Sequence, residues 1–426
     1  MLLKFWHDAS QAALMPARAA AAMTAAVWGN EANPLSQTPG ARMLVAGADL
    51  FDRLTRVYPK PEWNIREVQI DGHTVPIREE IADETPFYRL VRFTRDTSAL
   101  APSAAAALKQ RLAGQPRGVL VTPMSGHHST LLRATAQEML KSGDVYVTEW
   151  KCASTVPAAA GEFGLADNVA HIRRALKVAG PGCHLTAVCQ PSPAALAAVA
   201  FMSEDADDCK PRSLTLMAGP VDTRVNPQEC NAFATKTSLA LFKTNMLHMV
   251  PFGHDGFSRM VMPGLLQQAG FVGQNLAKHA NAHIDYFWAL VTGAQEAIRK
   301  HREFYDEYNA LLDLQGKFYT ETIDVIFQRH LLPKGELVLD GRRVDLSKID
   351  VPLLVIEGGK DDICGVGQTS AAHELCTGIP AAKRAYYVEP EAGHYGVFNG
   401  KLWRANIAPR IAAFQTKWDR PSLLAA

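Results

Sequence analysis

Residues 184–200 read HLTAVCQPSPAALAAVA, in which a short apolar strand runs directly into an alanine-rich helix with proline near its first turn. Cys189 stands at the joint. The same alternation of strand and helix recurs along the chain, and it predicts βαβ units that build a mostly parallel sheet. The other segments of this pattern are GVLVTP (118–123), STLLRATAQEMLKSG (129–143), DVYVTEW (144–150), DNVAHIRRALKVAG (167–180), SLTLMAGPVD (213–222), VPLLVIEGGKDD (351–362), AYYVEPEAGH (385–394) and LWRANIAPRIAAFQTKW (402–418).

The alternation is interrupted once, by a mostly helical stretch of bulky residues. One sheet with such an insertion indicates a core with a cap. Ahead of the core, the early residues show helical spacing, and Asp71-Gly72 between alternating apolar residues is a strong hairpin signal. We therefore divide the chain into an N-terminal helical segment with leading antiparallel strands (1–115), the first part of the core (116–222), a helical cap (223–349) and the second part of the core (350–426).

The composition is that of an ordinary globular protein, with 426 residues, 47% hydrophobic, 20% charged and a net charge of +1. This balance gives no global field for nucleic acid, and we expect no nucleic-acid partner. Seven cysteines without a C-x-x-C pair argue against a disulfide framework or a zinc site and favour a reducing compartment. We interpret residues 15–30 as a surface helix rather than a cleaved signal. The sequence contains no apolar run of about 18 residues, so we predict no transmembrane segment.

Three reactive side chains follow three of the predicted strands. Cys189 closes HLTAVC, Asp361 follows LLVIEGGK and His394 follows AYYVEPEAG. Ligands of a doubly wound sheet bind outside the carboxyl ends of its strands, so these groups are expected to meet there. A thiol must be ionised to attack well, and a histidine oriented by a carboxylate can take its proton. Nucleophile, acid and histidine stand in the chain order of the α/β-hydrolase triad.

The joint at Cys189 also predicts where an oxyanion is held. The backbone N–H of Gln190 lies at the start of the following helix, where the helix dipole favours negative charge. A second donor is expected from the loop TPMSGHHS, as the N–H of Ser125 or of Met124. The elbow reads AVCQP instead of G-x-S-x-G, so it matches the generic motif poorly, although alanine is small enough for a tight turn.

Other residues compete for these roles. His127 and His128 are alternative bases, and Asp362 and Asp222 are alternative acids. Two glycines just before Asp361 fit the turn that would present it, which favours Asp361. Two further cysteines are less suited to the role of nucleophile: Cys183 opens its strand and so lies at the wrong end of the sheet, and Cys364 is expected to be buried.

Several motifs together resemble the intracellular poly(3-hydroxybutyrate) depolymerases, over nearly the whole chain. They are YPKPEWNI, PMSGHHSTLLR, DVYVTEW, AVCQPSPAALAAVA, EGGKDDICGVGQT and EAGHYGVFNG. The resemblance implies an α/β-hydrolase fold, with a mostly parallel sheet, helices on both faces and a helical cap inserted between late core strands. It implies Cys189 as nucleophile, Asp361 as acid and His394 as base, acting on amorphous polymer in cytoplasmic storage granules. It also implies release of 3-hydroxybutyrate, with coenzyme A as an acyl acceptor in some members and no metal or other cofactor.

The bulky cap residues are expected to be cap core for the most part, with a minority that contacts polymer or granule. They are Phe242, Met246, Met249, Phe252, Phe257, Met260, Met262, Phe271, Tyr286, Phe287 and Trp288. Three other functions stay open: a polyhydroxyalkanoate synthase, whose glycine-flanked G-x-C-x-G elbow this chain lacks, a non-catalytic granule-binding protein, and a small-ester hydrolase. The oligomeric state is also left open, a homo-oligomer included.

Overall fold

A computed structural model describes residues 3–100, 102–112 and 114–419. Its centre is a nine-stranded sheet in the spatial order β1-β2-β3-β5-β4-β6-β7-β8-β9. The first four strands in that order pair antiparallel and all later pairs are parallel, as predicted. The strands are β1 Glu67–Ile70, β2 His73–Glu84, β3 Tyr88–Arg95, β4 Arg117–Val121, β5 Asp144–Trp150, β6 Cys183–Val188, β7 Leu214–Met217, β8 Leu353–Gly358 and β9 Arg384–Glu389.

Fifteen α-helices lie in the described parts of the chain. They are α1 Leu3–Trp28, α2 Pro39–Thr55, α3 Pro102–Leu112, α4 Arg133–Met139, α5 Leu165–Ala179, α6 Ser192–Glu204, α7 Glu229–Lys236, α8 Leu239–Met246, α9 Gly264–Gln274, α10 Leu276–Thr292, α11 Gln295–Tyr308, α12 Gly316–Thr322, α13 Ala371–Leu375, α14 Gly400–Leu402 and α15 Ala408–Asp419. Wider π-turns extend α12 over Ile323–Gln328 and join α14 to α15 over Trp403–Ile407.

Apolar residues cover both faces of the sheet. Along β6, Leu185 packs into a cluster with α5 and α6, whereas Val188 packs into a second cluster with α4 and α15. Alternate side chains of a strand point to opposite faces, so these two clusters lie on opposite sides of the sheet. Every residue of β6, β7 and β8 is buried, which explains why these strands read as continuous apolar runs.

The predicted hairpin joins β1 to β2. Asp71 and Gly72 form its two-residue loop with φ angles of 48° and 78°, the left-handed backbone that such tight turns require. The predicted early helices are α1 and α2, and Thr38 caps α2 by accepting a hydrogen bond from the N–H of Ala41. Among the described residues, no helix combines the length and apolar character needed to cross a membrane.

The segment between β7 and β8 holds helices α7–α12, in agreement with the helical pattern of the sequence. It also holds short strands that the pattern did not predict, because pairs of two or three residues leave no periodicity to detect. Met260–Met262 pairs with His248–Met249 and with Leu314–Gln315, and a small hairpin joins Val338–Leu339 to Arg342–Arg343.

The N-terminal helices pack on this cap. Arg53 of α2 forms an ion pair with Asp306 of α11, and Tyr286 of α10 donates a hydrogen bond to Asp49. The expectation that the eleven bulky cap residues are mostly cap core is wrong, because only three of them are buried and five are exposed at the surface of the cap. Phe242, Met262 and Tyr286 are buried, and Met249, Phe252, Phe257, Met260 and Trp288 are exposed.

Candidate active site

A sharp turn between β6 and α6 presents Cys189. Its φ of +65° is in the left-handed region, which a residue with a Cβ adopts only at an energetic cost. The turn is held on both sides, because the N–H of Cys189 donates to the Met217 carbonyl at 2.7 Å and its own carbonyl accepts from the Ser192 N–H at 3.1 Å. The thiol therefore stands on a strained turn at the carboxyl edge of the sheet, where the sequence predicted it.

Small residues surround this turn. Ala187 precedes it, as the sequence suggested, and Ala218 and Gly219 follow the neighbouring strand β7. A Cβ at Gly219 would collide with the Ser192 hydroxyl and would lie 2.7 Å from the carbonyl oxygen of Cys189. Sequence reasoning missed Gly219, because the pairing of β6 with β7 is what makes that position tight.

The three predicted reactive side chains meet. The Nε2 atom of His394 lies 3.1 Å from the Sγ atom of Cys189, and its Nδ1 atom lies 2.8 Å from Oδ2 of Asp361. The sheet order and this strand–turn–helix elbow together identify the architecture. The fold is that of the α/β-hydrolases. The side chains of His394 and Asp361 are 5% and 0% exposed, so the arrangement is shielded from water.

Two loops fasten Asp361 and His394 to each other. The N–H of Gly359 donates to the Glu389 carbonyl, and the N–H of Lys360 donates to the Ala392 carbonyl, both at 2.9 Å. The glycines noted in the sequence permit this approach, since a Cβ at Gly358 would lie 2.7 Å from the Ala392 carbonyl oxygen. The loop after β8 and the loop after β9 are thus held at a fixed separation.

The two carboxylate oxygens of Asp361 accept hydrogen bonds from different groups, one from the backbone and the other from His394. Its Oδ1 atom accepts from the N–H groups of Ile363 at 2.9 Å and Cys364 at 2.8 Å. Its Oδ2 atom is left to accept from Nδ1–H of His394, which fixes the orientation of the imidazole ring. A carboxylate with these three partners can orient a base.

Opposing effects act on the pKa of His394. Burial alone would lower it, but the negative charges of Cys189 and then Asp361 outweigh burial and raise the pKa well above its ordinary value of 6.5. The protonated form of the His394 ring is therefore favoured, and its Nε2 atom faces the sulfur of Cys189.

One expected oxyanion donor, the N–H of Gln190, directly follows Cys189 in the chain, and the other belongs to the loop after β4. The Oε1 atom of Gln190 accepts from the N–H of Met124 at 3.1 Å, so the Met124 donor is engaged and the elbow is tied to the loop after β4. No hydrogen bond engages the N–H of Gln190 or of Ser125 within residues 3–100, 102–112 and 114–419. Of the two alternatives left open for the second donor, Ser125 is the one with a free N–H.

The two competing acids, Asp362 and Asp222, form hydrogen bonds with residues other than His394. Asp362 is exposed and accepts from the side-chain amide of Asn275, and Asp222 forms a bidentate pair with Arg224. Neither is hydrogen-bonded to His394, whose carboxylate partner is Asp361.

Of the competing bases, His127 is buried and His128 is partly buried. His127 stacks on Phe271 and packs against Tyr308. Burial lowers the pKa of both His127 and His128 to about 4. The backbone of His127 pairs with that of Leu311 and so joins the loop after β4 to the cap.

Two further thiols lie near the site. Cys364 is buried, and burial raises its pKa well above the ordinary value for a thiol. Cys230 donates its S–H to the Ile363 carbonyl, and burial raises its pKa to about 11. Both are held as neutral thiols.

A cavity of about 580 Å³ lies between α1, the end of α2 and helices α9–α11. Tyr305 and Tyr308 line it, whereas Cys189 does not. The ring of Tyr308 is 6.3 Å from that of Tyr395, the residue after His394. The cavity is therefore separate from the Cys189 thiol, but one of its lining residues, Tyr308, lies near Tyr395 beside His394.

Comparison with known proteins adds a sequence relationship. A family model described as "PHB de-polymerase C-terminus" matches residues 218–419, a range that contains Asp361 and His394. The "Poly(3-hydroxyalkanoate) polymerase subunit PhaC" of Haloarcula marismortui is 27% identical over 106 residues, which are 25% of this chain and 22% of that protein. The protein of the same description from Haloferax mediterranei is 28% identical over 99 residues, 22% of this chain and 19% of that protein. The chain thus matches about a fifth of the length of these relatives.

Solved structures are similar at low sequence identity. A thioesterase domain from the curacin biosynthetic pathway has a TM-score of 0.41 at 9% identity and covers 80% of this chain and 99% of that domain. A monoacylglycerol lipase of Paleococcus ferrophilus also has a TM-score of 0.41, at 13% identity, over 72% of this chain and 96% of the lipase.

Proposed function

We propose that this chain is an enzyme that cleaves the ester bonds of poly(3-hydroxybutyrate) through Cys189, His394 and Asp361. The observation that carries the proposal is the 3.1 Å approach of His394 Nε2 to Cys189 Sγ on the elbow after β6. This geometry supports acyl transfer, and the family model over residues 218–419 supports a polyhydroxyalkanoate as the substrate class. A cytoplasmic location at the granule surface follows from that substrate and belongs to the same proposal.

In the first half-reaction the Cys189 thiolate adds to an ester carbonyl carbon and forms a tetrahedral oxyanion. The backbone N–H groups of Gln190 and Ser125 donate hydrogen bonds to that oxygen. The C–O bond then breaks, and the departing alkoxide takes the proton from Nε2 of His394 to become a free hydroxyl end. The acyl group is left as a thioester on Cys189, and His394 is neutral.

The second half-reaction clears the thioester. Neutral His394 takes a proton from water, hydroxide adds to the thioester carbonyl and the C–S bond breaks. The products are a carboxylic acid, which carries 3-hydroxybutyrate units, and the regenerated thiolate beside protonated His394. A thiol such as coenzyme A can replace water, because exchange of one thioester for another is nearly isoenergetic. The acceptor is thus water or coenzyme A, and no metal takes part in either route.

A polymerase is the second candidate, because both curated relatives carry that description. It would use the same thioester in the opposite direction, with a hydroxyl end attacking acyl-Cys189. The AVCQP elbow lacks the glycine-flanked cysteine expected for a synthase, which favours cleavage. A non-catalytic granule-binding protein would need no aligned triad, and a small-ester hydrolase would prefer short soluble esters to polymer.

The test uses purified full-length protein and amorphous poly(3-hydroxybutyrate) particles, with and without coenzyme A. Released products are identified by mass spectrometry for the wild type, for Cys189→Ala and for Cys230→Ala. The Cys230 variant is a matched control, since it removes a thiol near the site that is held neutral. A parallel reaction supplies 3-hydroxybutyryl-coenzyme A and measures polymer growth.

Release of 3-hydroxybutyrate or its oligomers by the wild type and Cys230→Ala, but not by Cys189→Ala, is the expected result. A coenzyme A adduct among the products would identify thiolysis. Polymer growth without release would replace the proposal with a synthase, and turnover of short esters alone would replace it with a small-ester hydrolase. Release that persists in Cys189→Ala would mean that another residue is the nucleophile.

A further inference from the structure

The solvent face of α1 is unusual for a surface helix. Fifteen of its residues are exposed, and all are apolar or small except Ser10, whose hydroxyl donates to the His7 carbonyl. A helix of 26 residues is about 39 Å long, so this face is an extended uncharged strip. Its large members are Phe5, Trp6, Met15, Met23 and Val27, which are 52%, 63%, 61%, 68% and 56% exposed.

The charged residues of α1 have polar partners in the rest of the fold, although the side chain of Asp8 is 41% exposed. Lys4 forms an ion pair with Asp313 of the cap, and Asp8 accepts from His254 at 2.9 Å. Arg18 donates to Gln11 and to the Thr55 carbonyl at the end of α2. An ordinary surface helix exposes its charges and few large apolar residues, whereas α1 pairs its charges and exposes five large apolar side chains. Its partly buried face mixes charged residues with apolar ones such as Leu14 and Trp28, and no residue of α1 is fully buried.

Two exposed aromatic residues of the cap lie near the N-terminal half of α1 in the fold. The contact between Asp8 and His254 brings the segment around His254 against the N-terminal half of α1. Phe252 and Phe257 flank His254 and are 89% and 48% exposed, with their rings edge to face at 5.8 Å. We call the outward face of α1 together with Phe252 and Phe257 the apolar strip.

We propose that the apolar strip is the surface with which this chain adsorbs to a solid, uncharged polyester. The proposal rests on the proposed function, and it adds the place where the insoluble substrate is held. Charge complementarity points to this partner, because no ionisable side chain lies among the exposed positions of described α1. A polyester offers ester and methyl groups over a wide area and carries no charge within the chain. Adsorption there would keep the enzyme on the particle between successive cleavages.

The other occupants fit less well. A helix face of about 39 Å by ~10 Å offers roughly 400 Å², about half of the ~800 Å² per partner in a stable protein interface. A second copy of the chain would therefore gain too little area from α1 alone. Helices that lie on anionic membranes carry lysine and arginine beside their apolar face, and the one arginine of α1 is engaged with Gln11 and Thr55.

The experiment compares two triple variants of the full-length protein. One is Trp6→Glu with Met15→Glu and Met23→Glu, and the other places lysine at the same three positions. The matched control introduces glutamate at exposed apolar positions outside the strip: Ile81, Val178 and Val338. Melting temperature checks that each protein is folded. Adsorption is measured by sedimentation with amorphous poly(3-hydroxybutyrate) particles, and catalysis by cleavage of a soluble 3-hydroxybutyrate oligomer.

Both strip variants are expected to adsorb to the particles at least about tenfold more weakly than the wild type, while they cleave the soluble oligomer at the wild-type rate. The control variant is expected to adsorb as the wild type does. Charge of either sign must weaken binding to an uncharged surface. Equal adsorption of all variants, or a wild type that cleaves the oligomer but does not adsorb, would overturn the proposal and leave the function standing.

Three further outcomes separate the alternatives. Stronger binding of the wild type to vesicles of anionic phospholipid than to polyester particles would overturn the proposal in favour of a membrane surface. A wild-type dimer that the strip variants convert to monomers, measured by light scattering, would overturn it in favour of a second copy. A wild type that adsorbs through the strip but cleaves neither polymer nor oligomer would support the docking surface and overturn the proposed function.

Discussion

The side-chain oxygen of Gln190 accepts a hydrogen bond of 3.1 Å from the backbone N–H of Met124. This contact joins the elbow that presents Cys189 to the loop that supplies Ser125, across 66 residues of sequence. Gln190 therefore acts twice in the proposed mechanism. Its backbone N–H is a proposed oxyanion donor, and its side chain holds the loop of the other donor in position.

The change Gln190→Ala should lower kcat about fivefold, because the loss of one positioning hydrogen bond is worth about 1 kcal/mol. The backbone donor at residue 190 is retained, so KM should change little. The measurement is steady-state cleavage of a soluble 3-hydroxybutyrate oligomer. Gln328→Ala is the control, since Gln328 bridges backbone carbonyls of Ala234 and Thr237 within the cap. An equal kcat in the two variants would show that the Gln190 side chain does not position the loop.

The change Asp361→Asn should lower kcat by roughly 10³–10⁴-fold. The backbone N–H groups of Ile363 and Cys364 would hold the amide oxygen, so the amide NH₂ would face Nδ1 of His394. The ring would then carry its proton on Nε2 and could not take one from the thiol. Asp362→Asn tests the competing acid and should leave kcat nearly unchanged. The reverse result for the two variants would transfer the acid role to Asp362.

The change Cys189→Ala should lower the pKa of His394, because the charge on Cys189 is the largest of the effects that raise it. A raised pKa means that the protonated ring stabilises the fold fully below about pH 6.5 and loses that contribution as the pH rises through the folded pKa. The variant should therefore lose the contribution at a lower pH than the wild type. NMR titration of the imidazole and denaturant unfolding from about pH 5 to about pH 10 measure both effects. An unchanged pKa in the variant would contradict the proposed pairing of a Cys189 thiolate with protonated His394.

Cys189→Gly should be more stable than Cys189→Ala by about 1 kcal/mol, since only glycine adopts φ near +65° without strain. Both variants lack the thiol and both should be inactive, so the comparison isolates the backbone. Ala197→Gly in the middle of α6 is the control and should be destabilising by about 1 kcal/mol. The free energy of unfolding in denaturant provides the measurement. A glycine variant that is no more stable than the alanine variant would argue that the turn is not strained.

Much of this protein could be predicted from neighbouring residues in the sequence. The apolar runs that became β6, β7 and β8 are continuous because both of their faces are buried. Asp71-Gly72 determines its hairpin by backbone conformation alone. The chain order of Cys189, Asp361 and His394, each just after a strand, indicated where they would meet, because parallel strands end at one edge of a sheet.

Other features depend on contacts between distant parts of the chain. The need for glycine at 219 arises from the pairing of β6 with β7, and the engagement of Met124 arises from a side chain 66 residues away. Neither leaves a periodic or local signal. The same holds for the bulky cap residues, where burial of Phe242 and exposure of Phe252 follow from the packing of the cap and not from the residue type.

The first helix, α1, shows most clearly which features the sequence determines and which the tertiary structure determines. Its alanine-rich sequence by itself determined that it would be a helix, since propensity is a property of each residue and its near neighbours. Which face points outward was decided only in the tertiary structure, by Asp313, His254 and the end of α2, which bind its charged side chains. An apolar face toward water is the reverse of what the hydrophobic effect favours for an isolated domain, and polar contacts from distant segments maintain it.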